Sequence, residues 1–322
     1  MRSLRPFRNP DPPALAALWD RALPRSGAVR PLDAHEFDNA VISKLGFDAD
    51  GLIVAENASG VVGFVHAGFG PREPFGPCRE LDHTMGTIAM LVVSPDIDDP
   101  DLGPALLEAA ESYLKRRGAQ VIYAGGQTPL NPFYWGVYGG SEFSGILAGH
   151  RAFVKSVEVA GYRPVGSTIL YEADLGDSSA IRDPKGVILR RQTILEVEED
   201  AALDGWWQAA ALGELRPNRF RLLRRADNAL LASATTWEML GFPPDPTSAS
   251  RIGLIDLEVP LEHRRKGYGR HLVAEILRKA QAEWVEVVSV QTSESNIPAR
   301  RLYESLRFDP RDTSILYRKA TN

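Results

Sequence analysis

Hydrophobic and polar positions along this chain change period in a fixed order, and that order occurs twice. Ser3–Phe7 predicts a short strand, and from Pro12 the residues Leu15, Leu18 and Trp19 recur at helical spacing. Leu52–Ala55 and Val61–Ala67 predict two strands joined by a turn at Asn57-Ala58-Ser59-Gly60, and Thr87–Val93 predicts another. Leu102, Leu106, Ala109, Ala110, Tyr113 and Leu114 share one face of a helix over Leu102–Arg117, after which Val121–Ala124 is extended.

A stretch rich in Asp, Ser, Pro and Gly, Gly176–Gly186, has the composition of a linker, and the series then starts again. Val187–Arg191 starts it, in the place the first strand holds in the first half. A helix with Trp206 and Trp207 follows, and Phe220–Arg224 and Leu230–Thr236 pair as strands. Leu254–Val259 is a strand, Tyr268–Glu283 a helix, Val285–Val290 a strand and Pro298–Leu306 a helix. An offset of 166 residues sets Val93 on Val259, Gly103 on Gly269, Leu106 on Leu272 and Val121 on Val287 without a gap. Gly161-Tyr162 falls on Arg307-Phe308 at an offset of 146, so the first half carries about twenty extra residues within Gly125–Gly149. The expected organisation is a duplicated α/β domain, 1–175 and 187–322, joined by 176–186.

Composition adds limits. With 322 residues, 44% of them hydrophobic and 25% charged, the chain is long enough for two domains with real cores. The net charge is −5 without any Lys/Arg run, which argues against a general nucleic-acid binder. Cys78 is the sole cysteine, so neither an intrachain disulfide nor a thiolate zinc cluster is available, no metal site is expected, and Cys78 itself reads as a small apolar filler. Met1–Arg8 lacks the apolar run of a signal peptide, and nothing approaches the ~20 apolar residues of a membrane helix. The expectation is a soluble cytoplasmic protein without a membrane partner; oligomeric state is not encoded in any pattern here.

The candidate chemistry lies where the second-half strand Leu254–Val259 runs into Arg264-Arg265-Lys266-Gly267-Tyr268-Gly269 and then into a helix. A helix N-terminus has unpaired N–H groups and a partial positive charge, which together favour an anion such as a pyrophosphate. Gly267 and Gly269 let backbone approach closely, and Arg264, Arg265, Lys266 and Arg270 add charge. The pattern has neither the Lys-Ser/Thr ending of a P-loop nor the three glycines of a dinucleotide fingerprint.

These residues resemble the GNAT superfamily of N-acetyltransferases, whose signature is Arg/Gln-x-x-Gly-x-Gly/Ala after the fourth strand. The second family element, an Asn followed by a helix bearing a Tyr, is matched by Asn296 and Tyr303 within Ser293–Phe308, and the resemblance covers Val187–Lys319. It implies two tandem GNAT-like domains, each a mixed, largely antiparallel sheet flanked by helices. It also implies acetyl-CoA as co-substrate and a small-molecule or peptide amine as acceptor. Backbone near Leu257 and Val259 would pair with the acetyl carbonyl and pantetheine arm, the amides of Arg264–Gly269 would hold the pyrophosphate, Asn296 would contact pantetheine, and Tyr303 would protonate the leaving thiolate. Glu258 and Glu294 are the nearest candidates for a base; where some relatives have a Glu, this chain has Gln291. A rival reading is a tandem module that senses acetyl-CoA or a small metabolite without turnover.

In the first half Asp98, Asp101 and Gly103 fall opposite Arg264, Gly267 and Gly269, while His150 and Val157 fall opposite Asn296 and Tyr303. Acidic side chains at a phosphate site repel the ligand, so the first domain is expected not to catalyse. Two-domain members of the superfamily with a decayed first copy, the mycothiol synthase type, have a similar length and layout. The extra segment Gln127–Phe143 sets aromatic residues among Gly and Pro; it either lines a pocket or seals the core.

Overall fold

The computed structural model describes residues 2–127, 130–176, 181, 183–203, 205–212, 216–239 and 250–321. Its first half runs β1 (Ser3–Pro6), α1 (Pro12–Ala22), α2 (Ala34–Phe37) leading into a π-helical turn at Asp38–Ile42, β2 (Leu52–Asn57), β3 (Gly60–Pro71), β4 (Leu81–Val93), α3 (Leu102–Arg116), β5 (Val121–Ala124), β6 (Ile146–Leu147), α4 (Arg151–Val159) and β7 (Arg163–Asp174). The second half runs α5 (Gly186–Gln192), β8 (Thr193–Glu198), α6 (Trp206–Leu212), β9 (Pro217–Arg224), β10 (Leu230–Glu238), β11 (Arg251–Glu258), α7 (Tyr268–Ala282), β12 (Val287–Ser293), α8 (Ile297–Ser305) and β13 (Asp309–Ala320). Of the expected linker, residues 177–180 and 182 lie outside the described residues, as do Thr128 and Pro129 of the extra segment.

All the strands join one mixed, mostly antiparallel sheet in the order β1-β2-β3-β4-β5-β13-β7-β12-β11-β10-β9-β8, with β6 pairing beside β13. The last strand of each half sits in the other half's sheet. β13, from the end of the chain, pairs antiparallel with β5, and β7 pairs antiparallel with β12. The two exchanged strands pair with each other at the centre.

The register bears the mark of duplication. In the parallel β4·β5 pair Met85 faces Val121, and in β11·β12 Arg251 faces Val287, a shift of 166 on both strands. Ala320 faces Val121 as Asp174 faces Val287, a shift of 146 on one strand and 166 on the other. α4 and α8 start 146 residues apart, and their N-cap residues His150 (φ −84°, ψ 64°) and Asn296 (φ −82°, ψ 69°) share one conformation.

The expectation for Val187–Arg191 is overturned. It belongs to the helix α5, and the first strand of the second half is β8, further on. Val187 and Ile188 are exposed and only Leu189 among the three apolar residues is buried, so their run marks no buried strand. Cys78 is half-buried in the β3–β4 loop rather than a core filler.

Helices cover both faces. α3 and α4 pack on one face of the first half around Leu106, Leu114 and Phe153, and α7 and α8 pack similarly on the second half around Leu272, Ile276 and Tyr303. The other face of the first half is covered by α1, α2 and the extra segment, whose Phe133, Tyr134, Trp135, Tyr138 and Phe143 are all buried. Tyr134 stacks on Trp19 with ring centroids 5.7 Å apart. These aromatics therefore seal a core, and that core reaches the second half through Trp237 and Ile255. Among the described residues no helix is long and apolar enough to cross a membrane.

Candidate active site

The β11·β12 ladder ends at Leu254↔Val290, yet β11 continues to Glu258 and β12 to Ser293. The two strands part there, leaving a wedge between edges that share no ladder bonds. A bulge helps open it: the β10·β11 register slips between Ser233 and Thr235, and Asp256 opposite has φ 53°. Beyond the bulge Leu257 and Val259 pack with the α7/α8 cluster. Glu258, between them, points to the opposite face and is exposed.

Past the wedge the chain turns through left-handed residues at Arg265 (φ 61°) and Gly267 (φ 96°), with Lys266 and Tyr268 at negative φ between and after them. Alternation of this kind turns successive N–H groups into a concave anion-binding nest. None of the N–H groups of Arg265, Lys266, Gly267, Tyr268 and Gly269 finds an acceptor among the described residues. They open the 15-residue helix α7, whose dipole adds to the same positive field.

The two glycines serve different needs. A Cβ on Gly267 would meet nothing closer than Lys185 Cδ at 3.6 Å, so it is the left-handed backbone that calls for glycine there. A Cβ on Gly269 would lie 3.0 Å from Val259 Cγ2 and 3.4 Å from Leu302 Cδ1, so this buried glycine lets α7 pack against β11 and α8. The charged neighbours also divide. Arg264 Nε donates to the Val259 carbonyl at 3.0 Å, and Arg270 reaches Ser305 Oγ at 2.9 Å, whereas Arg265 and Lys266 are exposed beside the turn. A cavity of about 460 Å³ adjoins it, lined by Arg191, Arg224, Arg225 and Tyr268 among others.

α8 starts immediately after the wedge. Asn296 caps it, its Oδ1 accepting from Ala299 N at 3.3 Å. Tyr303 is buried on this helix between Phe308 and Tyr171, the latter from β7 of the first half. Burial, and after it the charge of Glu142, hold the Tyr303 phenol well above its ordinary range. Glu294 is exposed, its N–H bonded to the Ser167 carbonyl at 3.0 Å.

Glu142 is the group that sequence reasoning did not single out. It sits half-buried in the extra segment of the first half, and its carboxyl is pushed up to about 7 by burial and then by the nearby Asp256 charge. Around its segment four buried polar atoms, Ser141 Oγ, Trp237 Nε1, Ser289 Oγ and Gln291 Nε2, have no partner among the described residues. Each such group costs about 1–3 kcal/mol unless something polar meets it. The one signal in the sequence was an acidic residue inside an otherwise aromatic and glycine-rich insertion.

The corresponding turn of the first half is closed. Asp99 accepts from Asp101 N through its side chain at 3.1 Å and from Leu102 N through its carbonyl at 3.2 Å. A Cβ on Gly103 would fall 2.4 Å from Ser156 Oγ, so α3 and α4 are in tight contact.

The chain matches the Acetyltransferase (GNAT) family over residues 14–139 and again over 188–308. None of the curated proteins matches it. Among solved structures, a GCN5-related glucosamine N-acetyltransferase region of a fungal multi-domain GH3 β-N-acetylglucosaminidase superposes with TM-score 0.71 at 17% identity, covering 99% of this chain and 38% of the fungal one. A tandem GNAT protein from the clavulanic acid biosynthesis pathway gives 0.66 at 16% identity, covering 99% and 98%. A GCN5-related N-acetyltransferase from Sphaerobacter thermophilus gives 0.66 at 15%, covering 99% and 95%. With family matches over both halves and a repeated register, the chain belongs to the GNAT family of acetyltransferases as a tandem, two-copy member.

Proposed function

We propose that the chain transfers an acetyl group from acetyl-CoA to a primary amine at the second half alone, the first half lacking a cofactor site. The observation that carries this is the set of five N–H groups at the start of α7 without an acceptor among the described residues, set against a first-half turn in which Asp99 takes the N–H groups of Asp101 and Leu102 and Pro100 has none. As units of the duplication we keep 1–175 and 187–322, each completing its sheet with a strand of the other.

Acetyl-CoA supplies a thioester, and the protein's part is to hold it and manage protons. The nest at Arg265–Gly269 would take the pyrophosphate, with Arg265 and Lys266 alongside and the arginine-lined cavity receiving the remaining phosphate. Unpaired edges of β11 beside Leu257 and Val259 would orient the acetyl carbonyl and polarise it. Tyr303 would give its proton to the departing sulfur, since a phenol with a raised pKa stays protonated until it is needed. Asp256 and Glu258 make the mouth acidic, which favours an ammonium over a neutral or anionic acceptor.

Thiol release from acetyl-CoA with a panel of spermidine, glucosamine, kanamycin and a dipeptide tests this. Turnover of at least one amine is expected; acetyl-CoA binding with no turnover would favour a sensor instead. With any amine that works, Tyr303→Phe is expected to lower kcat about 10–100-fold with little change in KM. An unchanged kcat would remove Tyr303 from the chemistry.

A further inference from the structure

We infer that Glu142, carried by the first half, is the general base of the second half's site, an assignment that rests on acetyl transfer taking place there. The segment on which it lies crosses the last rungs of the β11·β12 ladder. Gly140 is pressed on β12: a Cβ there would fall 2.9 Å from Ser289 Oγ and 3.0 Å from Gln291 Nε2. Ser141 is pressed on β11, its Cβ 2.9 Å from where a Cβ on Gly253 would be. Ser144 Oγ donates to Gln291 Oε1 at 2.7 Å. Gly253 and Ser289 are themselves partners, one pair before the ladder ends at Leu254↔Val290. Glu142, between these fastened neighbours, is held where the strands part, close enough for its charge to act on the Tyr303 phenol and for the Asp256 charge to act on it.

Other acidic groups are less well placed. Glu258, Glu294 and Asp256 are all exposed, and Gln291 is an amide that takes no proton. Glu142 alone among these carboxylates is partly withdrawn from water, and a carboxyl raised to about 7 accepts a proton from an ammonium far more readily than one of ordinary acidity. The groups that face it are the Asp256 carboxylate of β11 and the Tyr303 phenol of α8; Ser289 and Gln291 of β12 and Trp237 of β10, which meet its segment, are uncharged. The four unpartnered buried polar atoms around it are the expected lining of a short water path by which a proton leaves.

The proton balance is complete. Glu142 takes one proton from the ammonium, and the freed amine nitrogen bonds to the acetyl carbon as the carbon–sulfur bond breaks. Sulfur takes the Tyr303 hydroxyl proton, and the second amine proton restores the phenol. Glu142 then releases its proton to water, so one amide, one thiol and one proton are formed. The first half thereby becomes part of the catalytic apparatus although its own cofactor turn is closed.

The test compares the full-length chain with Glu142→Gln and Glu142→Asp, using acetyl-CoA and whichever amine of the panel is turned over. For the unaltered chain kcat/KM is expected to fall as pH drops through about 7, because the base must be ionised. Glu142→Gln is expected to lose at least about 100-fold and to lose that acid limb, with acetyl-CoA affinity within two-fold, and Glu142→Asp to recover part of the rate. A stability readout separates this from a structural role. A carboxyl whose folded pKa is raised stabilises the fold below its ordinary pKa and loses that contribution as pH rises through about 7, so Glu142→Gln should melt above the unaltered chain at pH 8 and not at pH 4.5. Turnover retained by Glu142→Gln with its acid limb intact, or a Glu142 carboxyl that titrates near 4.5 by carbon-13 NMR in the full-length chain, would overturn the assignment. No turnover of any amine by the unaltered chain would overturn acetyl transfer, and the role of Glu142 with it.

Discussion

Replacing Gly267 by aspartate is expected to weaken acetyl-CoA binding at least about 100-fold, or ~2.7 kcal/mol, while the melting temperature stays within a few degrees. Two effects act together. The position has φ 96°, which costs a residue with a Cβ about 1–2 kcal/mol, so the turn relaxes and its N–H groups lose their common focus. A carboxylate there also competes with the ligand for those N–H groups and repels it, by about 1–4 kcal/mol for unit charges 4 Å apart at effective dielectrics between 80 and 20. In the first half a carboxylate competes in this way from the position equivalent to Arg265, where Asp99 takes the N–H groups of Asp101 and Leu102 with its own oxygens. Gly267→Ala, which adds only the backbone strain, should fall between the two. Calorimetry with acetyl-CoA reads all three, and an aspartate variant with unaltered affinity would remove the turn from the cofactor site. Stability is spared because the turn is exposed and a side chain there meets no wall.

A second large effect is expected from dividing the chain. Residues 183–322 made alone should be insoluble or lack fixed tertiary structure, whereas 1–176 and 183–322 produced together should assemble one to one and bind acetyl-CoA with close to full affinity. Without the first half, β12 loses β7 along Ser293–Val287, and β13 loses all three strands it pairs with, β5, β6 and β7. Tyr303 loses Tyr171, and Trp237 and Ile255 lose the aromatic core of the extra segment. Exposing a large apolar side chain costs about 1.5–3 kcal/mol, and several such losses match the ~5–15 kcal/mol that holds a domain folded. Circular dichroism and size-exclusion chromatography follow the outcome. A monomeric, cooperatively melting 183–322 would mean that the exchanged strands are dispensable.

What the sequence made legible is what local periodicity encodes. α3 and α7, β5, and the shift of register after the insertion follow from apolar spacing within each segment, and the repeat offset was readable because helix starts and strand starts kept their distance. Strand exchange was not readable, because the pattern of β7 or β13 says that a strand forms and which face is apolar, not which neighbour it pairs with. α5 was misplaced because three consecutive apolar residues carry no period. At the site, Arg265–Gly269 was found from its glycines and charge, yet the roles of Gly267 and Gly269 separate only once Val259 and Leu302 are seen beside the second. Glu142 was hidden because its place depends on a loop from one half meeting strands of the other, a contact about 110 residues apart in sequence that no local rule specifies.

The central claim, two acetyltransferase folds with a single cofactor site, is tested most directly by the stoichiometry of acetyl-CoA binding to the intact chain. Calorimetry is expected to give one site per chain, abolished by Gly267→Asp. Two sites per chain, or one that survives Gly267→Asp, would contradict the account and place cofactor binding in the first half as well.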